Sequence, residues 1–143
     1  MTGFESLLLQ AEAVARGWGT GNAQTLYNAG VQSAFDFSGS SAAASVFLDP
    51  GGSYEYPAGT EQQNLDAIAR QKWLAMCGVQ NVESWAETRR QNYFDFDPSV
   101  SGTGASLNGS TFPERALYPD TEISTNPNAV PNGNIGDKVW WNQ

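Results

Sequence analysis

From Phe4 to Trp18 the apolar residues Phe4, Leu7, Leu8, Ala11, Val14, Ala15 and Trp18 recur at steps of three and four, the period of one helix face. The pattern predicts a helix that stops in the glycine-rich stretch from Gly17 to Gly21. A second run, Ala23, Leu26, Tyr27, Gly30, Val31, Ala34 and Phe35, keeps the same period behind Asn22, an N-cap residue, and ends at Ser38-Gly39. The connection Gly19-Thr20-Gly21 is short, so the two helices must lie antiparallel, and residues 4–38 read as one αα-hairpin of tetratricopeptide size.

Residues 40–59 lose the period. Asp49-Pro50-Gly51-Gly52 is a turn signal and Tyr54-Glu55-Tyr56-Pro57 reads as a short extended piece, so this stretch is expected to be a loop. At Thr60-Glu61-Gln62-Gln63 a capping box opens a helix whose broad face carries Leu65, Ile68, Ala69, Lys72, Trp73 and Met76, with Gly78 as its stop. Asn81 is the expected N-cap of a fourth helix with Val82, Trp85, Ala86 and Arg89 on one side, which gives a second hairpin over residues 60–93. Beyond it, prolines, glycines and asparagines punctuate the tail, 94–143, so densely that only turns and short extended pieces fit. Phe112, Leu117, Tyr118, Val139, Trp140 and Trp141 are expected to anchor that tail by packing back onto the helices. The fold class is therefore mainly α: two tetratricopeptide-like hairpins followed by a long, irregular, aromatic-anchored tail within one domain.

Charge narrows the function. Seven Lys and Arg against fifteen Asp and Glu give a formal net charge of -8, which repels a phosphate backbone and excludes nucleic acid as a partner. With no histidine, catalysis would rest on carboxylates, lysine or the single Cys77, and no disulfide or cysteine-based metal site can form within the chain. Cys77 is expected to be a small buried apolar residue. The sequence contains no export signal, no lipobox and no apolar span.

Two of the seven cations stand together in Trp85-Ala86-Glu87-Thr88-Arg89-Arg90. On a helix Arg89 falls one turn after Trp85, so its guanidinium can lie over the indole, and Glu87 can pair with Arg90. The reading is structural: Arg89 and Arg90 on the inner face of the fourth helix, fastening the tail through its carbonyls or through Glu114, Asp120 or Glu122, with Arg115 as a further cation of the tail.

Several segments, in order, resemble one family. They are Leu7-Leu8-Leu9-Gln10-Ala11-Glu12-Ala13-Val14-Ala15-Arg16-Gly17-Trp18, Leu26-Tyr27-Asn28-Ala29-Gly30-Val31, Gln71-Lys72-Trp73-Leu74-Ala75, Glu83-Ser84-Trp85-Ala86-Glu87-Thr88-Arg89-Arg90, Phe112-Pro113-Glu114-Arg115-Ala116-Leu117-Tyr118-Pro119 and Lys138-Val139-Trp140-Trp141. With Glu122 and Asn126-Pro127 between the last two, this set resembles the C-terminal part of the SusD/RagB family of Bacteroidota outer-membrane lipoproteins. Asn142, Phe112 and Cys77-Gly78-Val79 depart from the pattern. The resemblance implies a non-enzymatic, cofactor-free binder of glycans or other nutrients that covers a SusC-like TonB-dependent transporter at the cell surface. It also implies further helices and a lipidated cysteine upstream, so that the membrane is reached only through that anchor, and an apolar face on which the isolated chain is expected to self-associate.

Sugars are gripped by aromatic faces flanked by amides and carboxylates, which makes Phe47, Tyr54 and Tyr56 in the first long loop the ligand-binding candidates. Trp73, Trp85, Arg89, Arg90, Arg115, Tyr118, Trp140 and Trp141 are read as structural. Two alternatives stand beside this one: a protein-binding helical scaffold, and a carboxylate hydrolase built on Asp95 and Asp97, which flank Phe96. The Asp- and Asn-rich turns at 95–101 and 126–137 lack an EF-hand ligand order, and turn formation accounts for them.

Overall fold

Thr2 opens the first helix with a reciprocal cap. Its hydroxyl accepts from the Glu5 N–H at 3.4 Å, and its own N–H donates to Glu5 Oε2 at 3.2 Å. In the computed structural model, which describes residues 1–57, 59–91 and 112–141, helix α1 then runs Gly3–Ala15. It stops because Gly17 takes a left-handed φ of 72°, which lets the Trp18 N–H reach back to the Ala13 carbonyl at 2.8 Å. Trp18 therefore lies beyond the helix, 76% exposed, instead of on its apolar face as the spacing suggested. Helix α2, Ala23–Phe37, is capped by Asn22, whose Oδ1 accepts from the Thr25 N–H at 2.9 Å.

The two helices close on Leu8 and Ala11 from one side and Tyr27 and Val31 from the other, all buried, with Ile68 of the next long helix completing the cluster. Gly30 sets how near they come. A Cβ there would stand 2.7 Å from Leu8 Cγ, so only glycine admits this crossing.

The stretch expected to be an unbroken loop is partly helical. One 3-10 turn, Ser41–Ala43, leads into the short helix α3, Ala44–Leu48, because Ala44 is fully buried and seats the segment on α2. The Tyr54–Pro57 piece forms no strand; the Tyr54 N–H donates to the Phe47 carbonyl at 2.9 Å, and the Tyr54 carbonyl accepts from the Tyr27 hydroxyl at 2.8 Å.

Helix α4, Glu61–Met76, carries the expected Thr60–Gln63 capping box, and buries Leu65, Ile68, Ala69, Gln71, Lys72 and Met76. Helix α5 follows as Asn81–Gln91. Asn81 is its first residue and not its cap, because its side chain turns back to accept from the Gly78 N–H at 2.9 Å. Cys77, expected to be buried, is exposed at the end of α4, where the chain leaves the helix axis. Gln80 in that turn accepts from Thr2 Oγ1 at 3.0 Å and donates to Glu5 Oε2 at 2.9 Å, tying the start of α1 to the α4–α5 connection.

The inner face of α5 is polar, contrary to expectation. Ser84, Glu87 and Thr88 are buried, Val82 is 72% exposed, and Trp85, like Trp73 on α4, is only half-buried. The reason is electrostatic: α5 meets a buried glutamate of α1 and a buried lysine of α4, which only charged and hydroxyl side chains can satisfy.

The chain divides into two units, Met1–Tyr93 and Phe94–Gln143. In the second, the N–H groups of Glu114 and Arg115 donate to the Ile135 carbonyl at 2.9 and 3.2 Å. Asn132 brackets the backbone of Tyr118, accepting from its N–H at 2.7 Å and donating to its carbonyl at 3.0 Å. Two segments thus run antiparallel with an asparagine amide standing in for a peptide, and a short helix α6, Asp120–Thr125, joins them where no helix was expected. Tyr118, Trp140 and Trp141 are 52%, 82% and 42% exposed, and within the described part of this unit asparagine side chains bond to backbone groups. Arg115 is half-buried and lies beside Gly133. Asp95, Asp97 and the turn at 95–101 lie outside the described residues.

Candidate functional site

The two walls of the candidate site are α4 and the Phe47–Pro57 segment. The segment brings Phe47 and Tyr54 together: their rings stack at 5.0 Å, and Phe47 also stacks on Phe35 of α2 at 5.4 Å. Tyr56 goes elsewhere, onto the Tyr27 ring at 5.1 Å. Of the three aromatic candidates, two therefore form a ladder on α2 and the third covers Tyr27, each half-buried with one side toward solvent. Burial raises the phenol pKa of both Tyr27 and Tyr56, so each remains a neutral hydroxyl.

Two clefts open along this segment. One, of about 300 Å³, is apolar and is walled by Val31, Phe35, Tyr54, Leu74 and Ala75. The other, of about 280 Å³, is polar and is walled by Glu55, Gln63, Asp66 and Arg70, with Tyr27 at its base. Gln71 belongs to both. Gln63, Asp66 and Arg70 follow each other at steps of three and four along α4, so one helix turn after another presents a polar group to the same cleft. Asp66 Oδ1 accepts from Gln62 Nε2 at 2.8 Å and Glu55 Oε2 from the Gly51 N–H at 2.7 Å. No hydrogen bond to a described residue engages the second oxygen of either carboxylate. That polar stripe was visible in the sequence, but nothing there indicated that residues 53–57 would fold over it.

The charged cluster elsewhere on the hairpins pairs its charges with one another. Arg90 donates through Nη1 and Nη2 to the two oxygens of Glu12 at 2.9 and 2.6 Å, and through Nε and Nη2 to Glu87 at 3.0 and 2.7 Å. Lys72 Nζ sits 2.8 Å from Glu87 and 3.7 Å from Glu12, and Arg16 Nε donates to Glu12 at 3.0 Å. Burial pushes the Glu12 carboxyl up, but bonding to Arg90 and the charges of Arg90, Lys72 and Arg16 overcome it and hold the pKa at about 2. Glu87 is lowered too, its burial outweighed by Arg90 and Lys72. The Glu87–Arg90 pair and the Arg89 guanidinium 3.7 Å over the Trp85 ring stand as expected. Arg90, though, fastens α5 to α1 and not to tail carbonyls. Glu12 carries a signal in the sequence, an acid one turn after Leu8 within the apolar stripe of α1.

Among the described residues no three His, Cys, Asp or Glu side chains gather to hold a metal, and no helix is long and apolar enough to cross a membrane.

Comparison with curated proteins finds no match. Among solved structures, a chitin-binding SusD homologue from Flavobacterium johnsoniae is 26% identical, with a TM-score of 0.77 over 100% of this chain and 36% of its own. Another chitin-binding protein is 26% identical, with a TM-score of 0.75 over 99% of this chain and 33% of its own. A SusD homologue from Bacteroides fragilis is also 26% identical, with a TM-score of 0.73 over 100% of this chain and 34% of its own. The chain thus spans about a third of the length of the solved structures it matches. A family model, SusD-like and described as starch-binding associating with the outer membrane, matches residues 1–119, and the chain belongs to that family.

Proposed function

We propose that this chain is part of a glycan-binding protein of the outer-membrane surface, lipid-anchored, that passes nutrients to a SusC-like TonB-dependent transporter and performs no catalysis. The family match over residues 1–119 carries the reading, because that family is described as starch-binding and outer-membrane-associated. Two of the similar structures are named as chitin-binding. The chemistry of the Phe47–Pro57 region agrees with it: aromatic rings, carboxylates and amides around small clefts are what sugar C–H faces and hydroxyls require. Phe47 and Tyr54 are the proposed stacking surface, and Tyr56 supports Tyr27 behind the polar cleft.

The test is a glycan array probed with the full-length protein, together with co-purification of its transporter from outer membranes. Binding to neutral glycans without release of reducing ends, and recovery of a TonB-dependent partner, is the expected result. Release of reducing sugar would instead favour the hydrolase reading, and binding to proteins alone the scaffold reading.

A further inference from the structure

Gln71 is 5% exposed, yet its side-chain amide has no hydrogen bond to any described residue. Its amide atoms are not among the fully enclosed polar atoms that lack a partner, so the donor and acceptor stay open to a molecule in the clefts the residue lines. This amide lies where the polar and the apolar cleft share a wall. On the polar side stand Glu55 and Asp66, each with a carboxylate oxygen not engaged by any described residue, and Arg70; on the apolar side stand Val31, Leu74 and Ala75.

We propose that Gln71 and the polar cleft beside it form a subsite for one N-acetylated sugar unit of an uncharged glycan. A primary amide presents a donor and an acceptor side by side, and an acetamido group presents the complementary pair, so the two can bond reciprocally. The adjoining apolar wall suits the acetyl methyl, and the carboxylates of Glu55 and Asp66 accept from ring hydroxyls in charge-assisted bonds. The net charge of -8 and these two carboxylates disfavour uronic or sulfated sugars. The cleft, about 280 Å³, is at the small end of ligand pockets, which start at about 300 Å³, and this suits one sugar unit better than a chain lying lengthwise. The inference rests on the glycan-binding reading above and adds to it a place and a sugar class.

Titration calorimetry of the 143-residue chain with chitotriose and with cellotriose tests it, because the two share linkage and ring and differ at the acetamido group. Chitotriose is expected to bind at least about tenfold more tightly, the factor one well-made buried hydrogen bond supplies. Gln71→Met, which keeps the side-chain length, should erase that preference, and Asp66→Asn, at a half-buried position, should weaken chitotriose about tenfold while leaving the thermal melt unchanged. If Gln71 is merely structural, Gln71→Met lowers the melt and leaves the chitotriose-to-cellotriose ratio intact, which overturns the proposal. Glycan binding unaffected by both substitutions would overturn this subsite and leave the glycan-binding reading standing. Failure to bind any glycan would overturn that reading, and the subsite with it.

Discussion

Arg90 grips Glu12 with two parallel hydrogen bonds, 2.9 and 2.6 Å, across 78 positions of sequence. This fork joins the last helix of the second hairpin to the first helix of the first. Glu12→Gln would leave Arg90, Arg16 and Lys72 around a neutral group, with Lys72 buried. The expected cost is about 3 to 5 kcal/mol in denaturant unfolding, the range for removing one partner of a buried pair. Arg89→Ala, which removes the cation lying over Trp85, should cost less, about 1 kcal/mol for that contact. Equal effects from the two would refute the distinction between the neighbouring arginines.

The same cluster sets an acid limit. Glu12 is lowered from 4.5 to about 2, and Glu87 is lowered as well, so the folded chain binds fewer protons than the unfolded chain in that interval. Their contribution is complete above the unfolded value and is lost as pH falls from 4.5 toward 2. Unfolding followed by circular dichroism should show stability dropping across that window, and Glu12→Gln should flatten the dependence.

Gly30→Ala would drive a methyl to 2.7 Å from Leu8 Cγ, and Leu8 is fully buried with no room to yield. A loss of about 1 to 3 kcal/mol is expected. Alanine is the better helix former, so a gain in stability on substitution would show that α1 and α2 do not cross this closely.

Tyr27→Phe removes the hydroxyl that donates to the Tyr54 carbonyl at 2.8 Å and should cost about 1 to 2 kcal/mol. Because Tyr54 holds one wall of the apolar cleft, faster amide exchange at residues 53–57 should accompany the loss. Unchanged exchange there would mean that the segment is held by its aromatic stacking alone.

Much of the helical layout was legible. The period of three and four, the caps at Asn22 and Thr60 and the glycine stops give α1, α2 and α4 nearly to the residue, because these are local decisions of side chain and backbone. Legible too were the Glu87–Arg90 and Arg89–Trp85 pairs, since helical spacing brings them together. The candidate cleft was only half legible: the polar stripe Gln63, Asp66 and Arg70 is present in the sequence, its cover is not.

What the amino-acid sequence determined by itself, then, is the four long helices, most of their ends and the family signature. What only the tertiary structure decided is which helix faces meet. Val82 and Trp85 looked like an inner face, but burying Glu12 and Lys72 requires opposite charges within reach, and the fold turned Glu87, Ser84 and Thr88 inward to supply polar partners. In the described tail, likewise, only the structure shows that Asn132 and Asn134 bond to backbone groups. Hydrophobic period reports burial only where neighbours are apolar; where a charge is already buried, its partners set the orientation, and those lie far away in sequence.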